Sequence, residues 1–199
     1  MKRRLMISAA VLMAGSALAQ APGGRPVRLV VPFGAGTSTD IVGRILSESL
    51  GRSLGQAVIV DNRPGAGGTL GSDLVAKAAG DGQTLLLGTV GTHAINATLF
   101  KRLSYDPLRD FVPLGFVGAT PTLLVVPAAS PWKSLADLRA ASDERVSFAS
   151  AGNGTSGHLA GEMVNARLGK SFLHVPYRDG GQALTELIAG NVQFMFYHP

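Results

Sequence analysis

Glycine, serine and threonine are concentrated in four short stretches, each between an apolar run and a segment with helical spacing. The stretches are PFGAGTSTD (32–40), NRPGAGGTLG (62–71), GTVGTH (88–93) and ASAGNGTSGH (149–158). The first N–H groups of a helix have no partner within it, and glycine lets a ligand approach them closely. One such loop is typical of a tight turn without a ligand. Four of them favour non-covalent binding of a small anion.

The glycines do not form a nucleotide-binding motif. Leu70 stands where a G-x-G-x-x-G motif starting at Gly65 needs its third glycine, and no G-x-x-x-x-G-K-[ST] is present.

A secreted hydrolase that uses Ser156 or His158 is the alternative from another functional class. Ser156 nevertheless misses the G-x-S-x-G elbow, because His158 occupies the position of its last glycine. The other histidines are His93, His174 and His198, and the four show no metal-ligand spacing. His174 lies in an apolar run, which is typical of a hydrogen-bonded core histidine. We therefore predict no metal and no other cofactor.

Short apolar runs alternate with helical patterns along most of the chain. Strands are predicted at 27–33, 57–61, 84–89, 122–128, 146–150, 172–177 and 192–197, and helices at 40–50, 70–79, from 134, 157–168 and 180–190. Apolar strands that alternate with helices are typical of a parallel sheet covered by helices, so the predicted fold class is α/β. Strand-to-helix turns of a parallel sheet lie at one edge, where we expect the glycine loops to meet.

Residues 1–19 are predicted to be a secretory signal peptide. Three basic residues (2–4) precede the apolar stretch 5–15, and Ala17-Leu18-Ala19 forms a small-x-small cleavage signal. Without this leader the chain has 15 basic and 13 acidic residues. The resulting net charge of +2 gives no support for nucleic-acid binding. The chain contains no cysteine, which excludes disulfides and thiol chemistry.

Six stretches are specific in combination. They are VPFGAGTSTD, VDNRPGAGGTLG, DGQTLLLGTVGTHAIN, YDPLRDFVPL, SFASAGNGTSGHLAGE and HVPYRDGGQALTELIAGNVQFMF. Together they resemble the extracytoplasmic solute receptors of tripartite tricarboxylate transporters, the Bug receptor family. The resemblance implies a periplasmic-binding-protein-like fold of two α/β lobes, each with a mostly parallel sheet, and a ligand cleft between them. It also implies capture of a small organic carboxylate in the periplasm for membrane permease subunits, without insertion of the mature chain into the membrane.

The resemblance further implies which residues bind the ligand. In the first lobe they are Phe33, Gly34, Ala35, Gly36, Thr37, Ser38, Thr39, Asp40, Gly65, Ala66, Gly67, Gly68, Thr89, Thr92 and His93. In the second lobe they are Ala151, Gly152, Asn153, Gly154, Thr155, Ser156, His158, Tyr177 and Gly180. Similar receptors hold the ligand carboxylate through backbone N–H groups, hydroxyls and ordered water rather than through a basic residue.

The first lobe is predicted to span 26–120 and the second to start at residue 121. Two departures from similar receptors stand out. Thr37 replaces a second glycine in the first loop, where it is expected either to add a hydroxyl contact or to narrow the pocket. Tyr197-His198-Pro199 stands where similar receptors carry an aspartate and continue considerably further. The second lobe, 121–199, is therefore predicted to be incomplete, and a truncated receptor fragment without function is a further alternative.

Overall fold

The computed structural model describes residues 24–142 and 145–199, so the predicted signal peptide lies outside the described residues. In this part of the chain the strands are β1 (Val27–Val31), β2 (Val58–Asn62), β3 (Thr84–Leu86), β4 (Leu123–Val125), β5 (Ser147–Ser150), β6 (Leu173–Pro176) and β7 (Phe194–Tyr197). The helices are α1 (Ser38–Leu54), α2 (Thr69–Ala76), α3 (Asn96–Leu99), α4 (Leu135–Ala140), α5 (Ser156–Leu168) and α6 (Gly180–Ile188). A 3-10 turn (Ala66–Gly68) precedes α2, and a π-helical turn (Gly91–Ile95) precedes α3.

The first sheet has the strand order β2-β1-β3, with both pairs parallel. Leu29 and Val31 of the central strand form a small core with Leu87. Helix α1 packs closely against this strand: a Cβ on Gly43 would be only 2.8 Å from the Val31 side chain. Because the three strands are parallel, the loops after them all start from the same edge of the sheet.

The second sheet has the strand order β4-β7-β5-β6. Strands β5, β6 and β7 are parallel, and the edge strand β4 is antiparallel to β7. Phe148 belongs to one buried cluster and its neighbour Ala149 to another. Successive residues of a strand point to opposite faces, so this sheet is covered on both faces. The predicted fold class, α/β with mostly parallel sheets, is confirmed.

Several predicted elements differ in extent from the observed ones. Phe33 and Thr89, predicted in strands, lie in the loops beyond β1 and β3, and β4 has three residues instead of the predicted seven. The Phe33 carbonyl accepts from the Asn62 amide at 3.0 Å, and the Thr89 N–H donates to the Thr92 hydroxyl at 2.9 Å, so loop hydrogen bonds replace those of the sheet at these two residues. The π-helical turn and α3 were not predicted. Residues 111–122, which lead into the second sheet, form no described helix or strand.

Candidate ligand-binding site

The first glycine loop follows β1 and ends at the N-terminus of α1. Thr37 is the N-cap residue: its hydroxyl donates to the Gly34 carbonyl at 2.7 Å and accepts the N–H of Asp40 at 3.4 Å. Gly36 has a φ of +80°, which favours glycine, and its N–H donates to Oδ2 of Asp40 at 2.8 Å. The Thr37 hydroxyl and the Asp40 carboxylate, both predicted to bind the ligand, therefore hold the loop itself.

Asp40 is buried beneath this loop. Its Oδ2 also accepts from Nε of Arg44 at 3.0 Å, and its Oδ1 accepts from the Asn62 amide at 2.9 Å. Burial alone would raise the pKa of this carboxyl, but the hydrogen bonds from Arg44, Gly36 and Asn62 and the Arg44 charge lower it overall. Because the carboxylate is already satisfied by protein donors, we expect it to support the loop rather than to touch a ligand.

The glycine loop at 152–156, after β5, has the same pattern of hydrogen bonds as the first glycine loop. Thr155 caps α5: its hydroxyl donates to the Gly152 carbonyl at 2.8 Å and accepts the N–H of His158 at 3.3 Å. Gly154 has a φ of +82°, and its N–H donates to Nδ1 of His158 at 3.2 Å. His158 thus occupies the position that Asp40 has in the first loop. The signal in the sequence is G-x-G-T-S, which occurs at 34–38 and again at 152–156.

The turn at 65–68 lies directly against the loop at 152–156. Gly67 has a φ of +63°, and a Cβ on it would be 1.9 Å from the carbonyl oxygen of Asn153. A Cβ on Gly91 would be 2.9 Å from the carbonyl oxygen of Gly154. Loops from the two sheets are therefore in contact, with no room for a side chain at these glycines.

The loop at 88–93 is fixed by its own hydroxyls and by an aromatic segment that follows it. The Thr92 hydroxyl contacts the Thr89 N–H at 2.9 Å and Nδ1 of His93 at 2.8 Å. The Tyr105 hydroxyl donates to the Thr92 carbonyl at 2.6 Å, and the His93 ring packs edge-on against Phe111 at 4.8 Å. Burial lowers the pKa of His93. The His93 ring thus contacts the segment after α3.

Most of the predicted site residues meet where the loops converge. Close approaches between different loops involve Phe33, Gly34, Thr37, Gly67, Gly68, Thr92, Ala151, Gly152, Asn153, Gly154, Tyr177 and Gly180. Ser38, Thr39, Ser156 and His158 lie in the first turns of α1 and α5. Gly65 packs against Leu70 of its own segment, and Ala35, Gly36 and Ala66 are exposed.

Two residues at this convergence were not predicted. Asn96 is fully buried: its amide donates to the Gly67 carbonyl at 3.4 Å, and its Oδ1 has no hydrogen-bond partner among the described residues. His198, just after β7, places Nε2 2.8 Å from the Ser156 hydroxyl, and its carbonyl accepts from the Ser38 hydroxyl at 2.9 Å. Asn96 ends the GTHAIN stretch, which is the signal that could have identified it.

His158, Glu162 and His174 bring possible metal-ligand atoms within 4.8 Å of one another. The Gly154 N–H fixes a lone pair on Nδ1 of His158, so the neutral ring carries its proton on Nε2, the nitrogen 3.9 Å from Glu162. A cation on Nε2 would require loss of the loop hydrogen bond. Nε2 of His174 is 2.7 Å from the Ser150 hydroxyl, which confirms the prediction that His174 is hydrogen-bonded. These hydrogen bonds favour a role of His158 and His174 in supporting the loops over a role in metal binding.

Comparison with known proteins identifies the family. Residues 42–198 match the family described as "Tripartite tricarboxylate transporter family receptor". The chain belongs to this receptor family. Among curated relatives, it is 45% identical over 174 residues to the UPF0065 protein in the tcbD-tcbE intergenic region of Pseudomonas sp. (strain P51), covering 86% of this chain and 52% of the relative. It is 40% identical over 172 residues to Protein BugT of Bordetella pertussis, covering 84% and 53% of the two chains.

Solved structures of similar proteins share the fold. A structure of the periplasmic binding protein BugD matches with a TM-score of 0.83 at 36% identity, covering 87% of this chain and 59% of that one. MatC (Rpa3494) from Rhodopseudomonas palustris with bound malate matches with a TM-score of 0.83 at 35% identity, covering 87% and 60%. R. palustris Rpa4515 with adipate matches with a TM-score of 0.82 at 34% identity, covering 87% and 59%. The chain spans about half the length of the curated relatives named above.

These comparisons confirm the resemblance inferred from the six motifs. Among residues 24–142 and 145–199 of this receptor-family chain, no helix combines the length and the apolar character needed to cross a membrane. The lobe bounds and the ligand-binding residues stay predictions.

Proposed function

We propose that this chain is the ligand-binding part of a periplasmic receptor that captures a small organic carboxylate. The observation that supports this most directly is the pair of equivalent loops that start α1 and α5. Each helix N-terminus carries roughly half a positive charge from the aligned peptide dipoles. The two helices belong to different sheets, yet Ser38 and Ser156 in their first turns both contact His198. Such a pair of positive ends suits the carboxylates of a small organic acid.

The proposed ligand contacts exclude the side chains that are already hydrogen-bonded within their own loops. Thr37, Thr155 and Asp40 are engaged within their own loops, so we assign ligand contact to the backbone N–H groups at the two helix N-termini. The Ser38 and Ser156 hydroxyls, which pair with His198 in this structure, are assigned to the ligand once it competes with His198 for them. Glycine at position 67 lets the turn at 65–68 pack directly against the Asn153 carbonyl, and its backbone becomes accessible when the two segments separate. The distance between the two helix ends would then select the length of the acid.

Ligand entry requires the turn at 65–68 to separate from the loop at 152–156, because the two are in contact in this structure. We propose that the lobes at 26–120 and 121–199 move apart about the segment at 111–122. This chain segment carries no sheet hydrogen bonds that such a rotation would break.

We place the receptor in the periplasm, exported by the signal peptide at 1–19, with permease subunits of a tripartite tricarboxylate transporter as its partners. The family supports this assignment, and related structures are described with malate and with adipate. We propose binding without catalysis. His158, one of the two residues named for the alternative hydrolase, accepts a hydrogen bond from Gly154 through Nδ1.

Thermal melts of the chain starting at Gln20 test this function. The probes are L-malate, succinate, adipate and citrate, with glucose as an uncharged control. A ligand that binds only the native state raises the melting temperature with its concentration. We expect a saturable rise with at least one acid and none with glucose. A cooperative melt that none of the acids shifts would contradict the proposal, as would turnover of a chromogenic ester that Ser156→Ala abolishes.

A further inference from the structure

His198 is the residue that contacts both helix N-termini of the proposed site. Its backbone carbonyl accepts from the Ser38 hydroxyl at 2.9 Å, and its side-chain Nε2 lies 2.8 Å from the Ser156 hydroxyl. Its Nδ1 lies 3.1 Å from the Pro121 carbonyl. His198 is therefore held by the first lobe, the second lobe and the segment that leads from one to the other.

The surroundings of His198 fix the position of its proton. A carbonyl oxygen can only accept, so the contact with Pro121 requires the proton on Nδ1. The Thr120 hydroxyl, 3.2 Å from the same nitrogen, is compatible with this arrangement. In the neutral ring Nε2 then carries a lone pair, and the Ser156 hydroxyl donates to it. In this tautomer His198 presents a hydrogen-bond acceptor, rather than a donor, beside the N-terminus of α5.

We infer that His198 is a specificity-determining residue that favours hydroxycarboxylates over the corresponding plain dicarboxylates. This inference rests on the proposed function. A ligand hydroxyl near Ser156 can donate to Nε2 or can share its hydrogen bond with the serine. A plain methylene group cannot replace Ser156 at Nε2, so the ligand gains no hydrogen bond there, and a carboxylate oxygen at the same place meets a lone pair. The ligand hydroxyl therefore adds one hydrogen bond that the plain acid cannot make.

L-malate and succinate test this inference, because they differ by one hydroxyl group. Calorimetric dissociation constants are measured for the wild-type chain, for His198→Leu, which removes the acceptor, and for His198→Gln, whose amide oxygen keeps one. We expect the wild type to bind L-malate about tenfold more tightly than succinate, the factor for one well-placed hydrogen bond. The leucine variant should bind both acids alike, and the glutamine variant should keep part of the preference.

Ser38 and Ser156 provide a matched pair of controls. Ser38 contacts only the backbone carbonyl of His198, so Ser38→Ala should leave the malate-to-succinate ratio unchanged even if both acids bind more weakly. Ser156→Ala removes the hydroxyl paired with Nε2, so its effect on the ratio should be non-additive with His198→Leu.

The possible failures are distinguishable. Equal affinities of the wild type for the two acids, or an unchanged preference in His198→Leu, would overturn this inference and leave the receptor function intact. A cooperatively melting wild type that binds none of the acids in the panel would overturn the proposed function and the inference together.

Discussion

Asp40 and His158 accept the same hydrogen bond at equivalent positions of two loops, one from Gly36 at 2.8 Å and the other from Gly154 at 3.2 Å. The acceptor is a carboxylate in the first loop and a neutral imidazole in the second. A carboxylate with a lowered pKa stays charged at neutral and mildly acidic pH. An imidazole cannot accept once both of its nitrogens carry protons. The two loops therefore differ in their sensitivity to acid.

Asp40→Asn is expected to destabilise the protein. The amide has one acceptor oxygen in place of two, so either the Gly36 N–H or the Asn62 amide faces the NH₂ group of this buried side chain. We expect the free energy of unfolding, measured by urea denaturation, to fall by about 1–3 kcal/mol. Glu48→Gln is the control, since Glu48 pairs with Arg52 on the exposed face of the same helix. Its effect should stay within roughly 0.5 kcal/mol, and equal effects of the two changes would contradict the anchoring role of Asp40.

The stability of the second sheet should decrease in mild acid. Burial, and then the neighbouring His158, lower the pKa of His174 to about 4, and burial lowers the pKa of His158 despite the opposing Glu162 charge. The folded protein therefore binds fewer protons than the unfolded chain below the ordinary histidine pKa of 6.5. The contribution is complete above pH 6.5 and is lost as the pH falls toward 4.

Melting temperatures between pH 8 and pH 4 measure this effect. His174→Asn keeps a polar partner for Ser150 but cannot titrate, so its melting temperature should fall less steeply between pH 6.5 and 4.5. Carboxylates titrate in both proteins, so their contributions to the pH dependence of the melting temperature cancel in this comparison. Parallel curves for the variant and the wild type would show that His174 does not carry the pH dependence.

Gly67→Ala should prevent ligand binding, whereas Gly55→Ala should not. Both residues have left-handed φ, +63° and +64°, so both substitutions carry a similar backbone cost of about 1–2 kcal/mol. A methyl group on Gly67 would collide with the Asn153 carbonyl, whereas nothing lies within 4 Å of the corresponding position at Gly55. We expect L-malate affinity to drop more than tenfold only in the Gly67 variant. Equal affinities would place this contact outside the site.

Leu114→Lys is expected to reduce self-association. Val112, Leu114 and Phe116 alternate along the segment before β4 and are 84%, 77% and 87% exposed, a pattern typical of an unpaired strand with one apolar face. Size-exclusion chromatography with light scattering should show a larger monomer fraction in this variant. Ile45→Lys is the control, because Ile45 is also exposed but lies on a regular helix. Identical elution of the wild type and both variants would contradict a role of the segment in association.

The sequence alone was sufficient for the features that depend on neighbouring residues. Alternating apolar runs and helical spacing predicted the order of the strands and most of the helices. The helix predicted from residue 134 begins at a capping box that Ser134 and Asp137 form. The glycine loops could be recognised because turn formation depends on local backbone conformation. Their combination was specific enough to identify the receptor family.

The tertiary structure decided which polar groups remain for a ligand. The sequence predicted that the Thr37 hydroxyl and the Asp40 carboxylate bind the ligand. In the structure both form hydrogen bonds that stabilise the first loop. His198 reaches Ser156 across 42 positions of the chain and Ser38 across 160. Such contacts depend on the strand order β4-β7-β5-β6 and on how the two sheets meet, and local patterns encode neither. Side chains far apart in the chain become neighbours only when the ends of parallel strands converge at one edge.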